Sequence, residues 1–285
     1  MFTEVMPGVS VATAERFTTT STAVTGQGGE CLLIDPAVTP ADLAVLAAAV
    51  RPTVGFATHA HWDHLLWSRD LGPEVPRYAS ARTVAQASDP AVVQQLEESA
   101  PGHDLALFAE LAVSPGDLLP WDGPVARLVT HDAHEPGHSA LFFPDLGVLV
   151  AGDMLSDIEI PLFDLSAADP VGDYRAGLER LASLEGVRWL IPGHGHVGDA
   201  AEFRRRVDLD RRYLDSPSAG DPRLDGAPDW QRAAHEDQLR SQLSPSSPEA
   251  PGSSVRSSSV RNSCWSAGLS LLVIGDSSSL MRAAP

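Results

Sequence analysis

The apolar and polar positions of the first forty residues keep no helical period. "VSVATA" (9–14) and "FTTTSTAVT" (17–25) alternate loosely and are rich in Val and Thr. "ECLLIDPAV" (30–38) is a compact apolar run closed by Asp35-Pro36, so this stretch predicts strands. The pattern then changes. "TPADLAVLAAAV" (39–50) reads as a helix, with Thr39 as its cap and Pro40 in its first turn. "TVGFATH" (53–59) is a buried strand. Residues 80–112 are helical in pattern, with breaks at Pro90 and at "APGH" (100–103), and read as an inserted helical segment over one face. Short strands follow at 125–133, 139–144 and 147–153. A helix at 169–186 places Leu178 and Leu181 on one face. A strand at 187–195 and an amphipathic helix at 199–214 come last.

Two sheets, each with helices outside it, satisfy this order. The predicted fold class is α+β, a four-layer αββα sandwich. The elements give a main domain over 1–215 and a helical extension over 216–243, and composition sets off a tail over 244–285. The tail begins "SPSSPEAPGSS" and holds little to bury, which predicts disorder.

Charge narrows the functions. The chain of 285 residues carries a formal net charge of −18, with 38 acidic against 20 basic residues. Such a surface repels nucleic acid and anionic lipid. The dense basic cluster "FRRRVDLDRR" (203–212) has the spacing of a solvated helix face. The sequence contains no lysine, which excludes Schiff-base chemistry and a phosphate-loop lysine. Its 2 cysteines form no CxxC pair, so neither a disulfide framework nor a cysteine-zinc site is expected. The N-terminus lacks a signal-peptide pattern, and no apolar run approaches a membrane span. The expectation is a cytoplasmic protein with a small-molecule substrate and no nucleic-acid or membrane partner.

The chemistry gathers in "THAHWDH" (58–64). Residues two apart on an extended segment point the same way, so His59 and His61 can reach one metal. Asp63 and His64 follow on a turn and can aim at a second point. Three further candidates stand where an apolar strand meets a loop: His138 in "HEPGHS", Asp153 in "LVAGDM" and His194 in "LIPGHG". Singly, each reads as an ordinary loop residue; together they predict a metal centre. Nitrogen and carboxylate ligands without thiolate suit Zn²⁺, and also Fe or Mn. His131 and His134 read as loop or strand histidines that could line a substrate pocket. Trp62 and Trp67 are candidates for an apolar wall or for core. Tyr174 is a candidate substrate contact. His196, His103 and His235 lack supporting context.

These motifs, in this order, resemble the metallo-β-lactamase-fold hydrolases over roughly residues 5–215. The pattern is nearest to the glyoxalase II and lactonase branch, which keeps an Asp-His pair after the first two histidines. The resemblance implies two divalent metal ions: His59, His61 and His138 hold the first, Asp63, His64 and His194 the second, and Asp153 bridges them. It implies a bridging hydroxide that cleaves an ester, thioester, lactone or amide. Asp63 is also the candidate catalytic group that takes a proton, and Asp35 is expected to orient a ligand. A cysteine-ligand lactamase does not fit, because no cysteine stands near Asp153. Glyoxalase II grips glutathione with basic residues of its C-terminal helices, and no such contacts can be matched here. The alternatives are an iron-dependent persulfide dioxygenase of the same fold and a non-catalytic binding protein.

Overall fold

The computed structural model describes residues 1–243; the Ser/Pro-rich tail at 244–285 lies outside the described residues. The strands are β1 (Thr3–Met6), β2 (Val9–Thr13), β3 (Thr20–Thr25), β4 (Cys31–Ile34), β5 (Val54–Phe56), β6 (Arg77–Ala79), β7 (Ala112–Val113), β8 (Arg127–His131), β9 (His138–Phe143), β10 (Val148–Gly152), β11 (Trp189–Pro192) and β12 (Gly198–Asp199). The helices are α1 (Pro40–Ala49), α2 (Ala81–Ala87), α3 (Pro90–Ser99), α4 (Pro170–Ala182), α5 (Ala200–Asp215) and α6 (Asp229–Leu243). One sheet is seven-stranded in the order β1 to β7; the other is five-stranded in the order β12-β11-β10-β9-β8.

Both faces of each sheet are covered, which is why the strands read as continuous apolar runs rather than alternating ones. Alternation persists in where the side chains go. Leu32 and Ile34 of β4 point into the layer between the sheets, where they join Leu141, Phe143, Val148, Val150 and Ile191. Cys31 and Leu33 of the same strand point outward with Leu43 and Leu46 of α1. On the second sheet, Leu149, Ala151 and Leu190 face outward onto Leu178 and Leu181 of α4 and Phe203 and Val207 of α5. These three apolar clusters are the three interfaces of an αββα sandwich.

Helix starts follow local chemistry. Thr39 and Asp42 form a reciprocal capping box, with Pro40 in the first turn. Asp169 caps α4 and Asp199 caps α5 through their side chains. The segment after β6 divides into α2 and α3, with Pro90 opening α3 rather than merely breaking a helix.

Candidate metal centre

Strand β5 ends at Phe56, and the chain passes through Thr58 and His59 into a short 3₁₀ turn, Trp62–His64. Strand β10 delivers Asp153 and strand β11 delivers His194. The loop after β8 delivers His134. Two groups of side chains result, each with ligand atoms within 4.8 Å of one another: His59, His61, His134 and Asp153, and Asp63, His64 and His194.

Within the first group, His59 Nε2 lies 3.0 Å from His61 Nδ1, and His134 Nε2 lies 3.1 Å from the same Nδ1. Within the second, His64 Nε2 and His194 Nε2 are 3.3 Å apart, and Asp63 Oδ2 is 3.6 and 3.5 Å from them. Asp153 touches both groups. Its Oδ1 is 3.2 Å from His64 Nε2, and its Oδ2 is 3.2 Å from His194, 3.4 Å from His59 and 3.5 Å from His134. Ligands about 2.1 Å from a zinc ion in a tetrahedron would stand roughly 3.4 Å from one another. The donor spacing therefore fits cations of this size. Asp63 Oδ2 and both carboxylate oxygens of Asp153 are buried without a hydrogen-bond partner. Such atoms are costly unless a cation or a proton compensates them.

The outer nitrogen of each ring meets a partner. Thr58 Oγ1 donates to Asp35 Oδ2 at 2.7 Å, leaving the hydroxyl oxygen to accept from His59 Nδ1 at 3.1 Å. His61 Nε2 is 2.9 Å from Glu135 Oε1, and His64 Nδ1 is 3.0 Å from Asp35 Oδ2. His134 Nδ1 donates to the Leu162 carbonyl at 3.0 Å, and His194 Nδ1 to that of Phe17 at 3.1 Å. His64 Nδ1 meets Asp35 as a charge neighbour without a hydrogen bond; at the other four rings the outer partner leaves a neutral imidazole with its lone pair turned inward, as a metal ligand must. Phe17 and Thr18 hold φ of +58° and +53°, so backbone strain accompanies the carbonyl that meets His194.

The charges are strongly coupled. Burial lowers the His194 imidazole, but the carboxylates of Asp153, Glu159 and Asp63 outweigh it and raise it to about 10. The same contest raises His64, through Asp153, Asp63 and Asp35. Burial dominates at His134, which falls to about 4, and at His131, which falls to about 3. Glu159, buried beside the second group, is pushed up to about 7 by burial, with Asp153 and Asp63 adding to it. His61 and Glu135 are the open edge, with side chains 11% and 13% exposed.

One expected ligand falls outside both groups. His138 is in neither, and His134 stands where it was expected. His138 opens β9 and pairs with His131 across β8, so its ring sits behind the centre, 4.7 Å from the His131 ring and 4.9 Å from that of His59. Both of its ring nitrogens are buried without a hydrogen-bond partner. A Cβ on Gly152 would fall 2.1 Å from His138 Nε2, and φ there is +57°. Glycine is what lets β10 pass this ring. Gly193 serves similarly, since its Cβ would fall 2.0 Å from Asp153 Oδ1. Tyr174, a candidate substrate contact, is instead 1% exposed and packed in the outer core, its ring 5.3 Å from that of Phe163. Trp62 and Trp67 are buried in the core beneath α1 and α3. His196 is exposed and paired with Asp157. Asp35 is where a ligand-orienting group was expected. Glu135 and Glu159 were not singled out in the sequence; Glu135 had a signal, standing directly after His134.

Comparison with known proteins gives the chain's family and fold. The family model for the metallo-beta-lactamase superfamily matches residues 14–194. A hydroxyacylglutathione hydrolase of Acidiphilium cryptum is 28% identical over 202 residues, covering 70% of this chain and 74% of that protein. A human acyl-coenzyme A thioesterase, MBLAC2, is 31% identical over 174 residues, covering 55% of this chain and 61% of that protein. A metallo-beta-lactamase family protein from Thermus thermophilus superposes with a TM-score of 0.58 at 22% identity, covering 84% of this chain and 95% of that one. TTHA1623, solved in a di-iron-bound form, superposes with a TM-score of 0.54 at 25% identity, covering 69% and 97%.

Proposed function

The chain belongs to the metallo-beta-lactamase superfamily, and from that premise we propose that it is a two-metal hydrolase that cleaves a small acyl ester or thioester. The observation that carries the reading is Asp153. Its carboxylate stands within 3.5 Å of a histidine nitrogen in each of the two groups. In this reading His59, His61 and His134 hold one cation, Asp63, His64 and His194 hold the other, and Asp153 is shared. Zn²⁺ suits these donors, and Fe and Mn suit them too. A pair of such cations, when bound, supplies acidification of water and polarisation of an acyl carbonyl.

The chain's own residues do the rest. Four imidazoles, His59, His61, His134 and His194, are fixed by outer hydrogen bonds, so the site needs little reorganisation as charge develops on the substrate. Asp63 would take a proton from the attacking water through the carboxylate oxygen that is not turned to His64 and His194. His61 and Glu135, the least buried of these side chains, mark the side from which substrate enters. Thioesters lead the substrate classes because the relatives named above are a hydrolase of acylated glutathione and an acyl-coenzyme A thioesterase. A one-iron oxygenase would leave the group of Asp63, His64 and His194 without a task, and that group is complete.

The test is a hydrolysis screen of thioesters, lactones, esters and β-lactams on purified protein of measured metal content. Turnover is expected with two metals per chain. Asp153→Ala should lose both metal and turnover. Full activity in that variant, or oxygen uptake with a persulfide in place of hydrolysis, would overturn the proposal.

A further inference from the structure

Three buried polar side chains reach from the C-terminal extension into the loop after Asp153. The Arg223 guanidinium donates to the Ser156 carbonyl at 3.3 Å. The Gln231 amide donates to the Ile158 carbonyl at 3.2 Å and the Arg223 carbonyl at 3.1 Å. The Gln238 amide donates to the Pro161 carbonyl at 3.0 Å, and its Oε1 accepts from the Phe163 N–H at 2.8 Å. Gln231 and Gln238 are each 1% exposed. Burying a primary amide is unfavourable unless its hydrogen bonds are made, so such residues mark places where α6 is held in one register.

Gln238 stands apart because of which peptide it grips. The Phe163 N–H belongs to the same peptide unit as the Leu162 carbonyl. That carbonyl accepts from His134 Nδ1 at 3.0 Å. One peptide group is therefore clamped at both ends, Gln238 Oε1 on its N–H and His134 on its C=O. Accepting at the N–H polarises the group and makes its carbonyl a stronger acceptor. A stronger acceptor at Nδ1 fixes the tautomer and makes Nε2 a better donor to a cation. Gln238 is itself held by the Tyr213 hydroxyl at 2.7 Å, which bonds His235 Nδ1 at 2.8 Å.

We infer that Gln238 is a positioning residue of the metal centre, acting on His134 through the Leu162–Phe163 peptide. The extension is then part of the site and not an appendage. This inference rests on His134 being a ligand, as proposed above.

The test uses the full chain loaded with zinc, and follows zinc loss to a chromophoric chelator. His134→Ala identifies the release phase that belongs to its group by abolishing it. Gln238→Met, close in shape but without either bond, should weaken zinc retention in that same phase by roughly tenfold or more. Gln231→Met removes a comparable buried amide from the same helix and loop but leaves the Leu162–Phe163 peptide alone. Its zinc release should match wild type. Wild-type retention in Gln238→Met, or equal weakening by both variants, overturns the inference. If Gln238→Met does not fold, Gln238→Asn carries the same test, since its amide is withdrawn by one methylene. Two unchanged phases in His134→Ala would instead show that the parent assignment of ligands is wrong.

Discussion

Asp35 Oδ2 lies 3.0 Å from His64 Nδ1 and accepts the Thr58 hydroxyl at 2.7 Å, while Oδ1 accepts the Thr58 N–H at 2.8 Å. One carboxylate thus joins the end of β4 to the start of the histidine motif and steers rings of both groups, His64 directly and His59 through Thr58. Asp35→Asn keeps the shape but weakens the hold on His64 Nδ1. It should lower metal affinity by roughly 10–100-fold, as loss of such outer partners does elsewhere. Metal titration against a competing chelator checks this. Wild-type affinity in Asp35→Asn would remove Asp35 from the metal centre.

His134 and His138 make opposite predictions although they stand four residues apart. His134→Ala should lose one metal of two and at least most of the turnover. His138→Ala should keep both metals and instead lose about 2–4 kcal/mol of stability, the cost of a buried cavity. His138 is the residue to set against His134, because it is equally buried and stands in neither donor group. Metal analysis alongside chemical denaturation separates the two. Loss of a metal in His138→Ala with retention in His134→Ala would restore the ligand set expected from the sequence.

That pair also shows how far the sequence can be read. Both "HEPGHS" and "LIPGHG" place Pro-Gly before a histidine, and the analogy favours His138. In the structure the second Pro-Gly-His follows a strand while the first begins one. His138 is thereby committed to the ladder with His131. The two-sheet fold is legible because runs such as "VLVAG" are apolar on both faces, which only a strand covered on both sides needs. The three-residue β6 and two-residue β7 are not, being too short to show a period. Gln238 has no signal in the sequence either. Nothing in the polar helix "DWQRAAHEDQLRSQL" shows that Gln231 and Gln238 of its three glutamines turn inward, and the partner of Gln238 is a backbone amide, which carries no side-chain signature.

Gly152 predicts a steric effect. Its φ of +57° and the His138 ring at its back both exclude a side chain. Gly152→Ala should cost on the order of 3 kcal/mol from strain and overpacking together. His138→Ala combined with Gly152→Ala should recover part of that cost, because the clash is removed while the strain remains. Urea denaturation of the two single variants and the double variant gives the coupling. Strict additivity would show that the clash is not what excludes alanine.

Removing the metals should expose a stability that depends on pH with a defined sign. In the metal-free protein burial lowers the His194 imidazole, but Asp153 and Glu159 raise it to about 10, against about 6.5 in the unfolded chain. The native state then binds a proton that the unfolded chain has lost. This contribution is fully present below pH 6.5 and is lost as pH rises toward about 10. Its slope is at most about 1.4 kcal/mol per pH unit for each such proton. His64, raised in the same direction, adds to it. His134, lowered to about 4, acts with the opposite sign, but only between about 4 and 6.5. Glu159, raised to about 7, acts mainly below 7. The window from about 7 to about 8.5 therefore belongs to the raised histidines; above it the buried Cys31 thiol, pushed up to about 11, loses stability in the same direction whether or not metal is bound. Chelator-treated protein should lose melting temperature steadily across it. The zinc-loaded protein should not, since a cation on Nε2 replaces the proton and removes the titration. Melting curves of both forms from about pH 7 to about 8.5 decide the matter; parallel curves would mean that the histidines are not the proton reservoir.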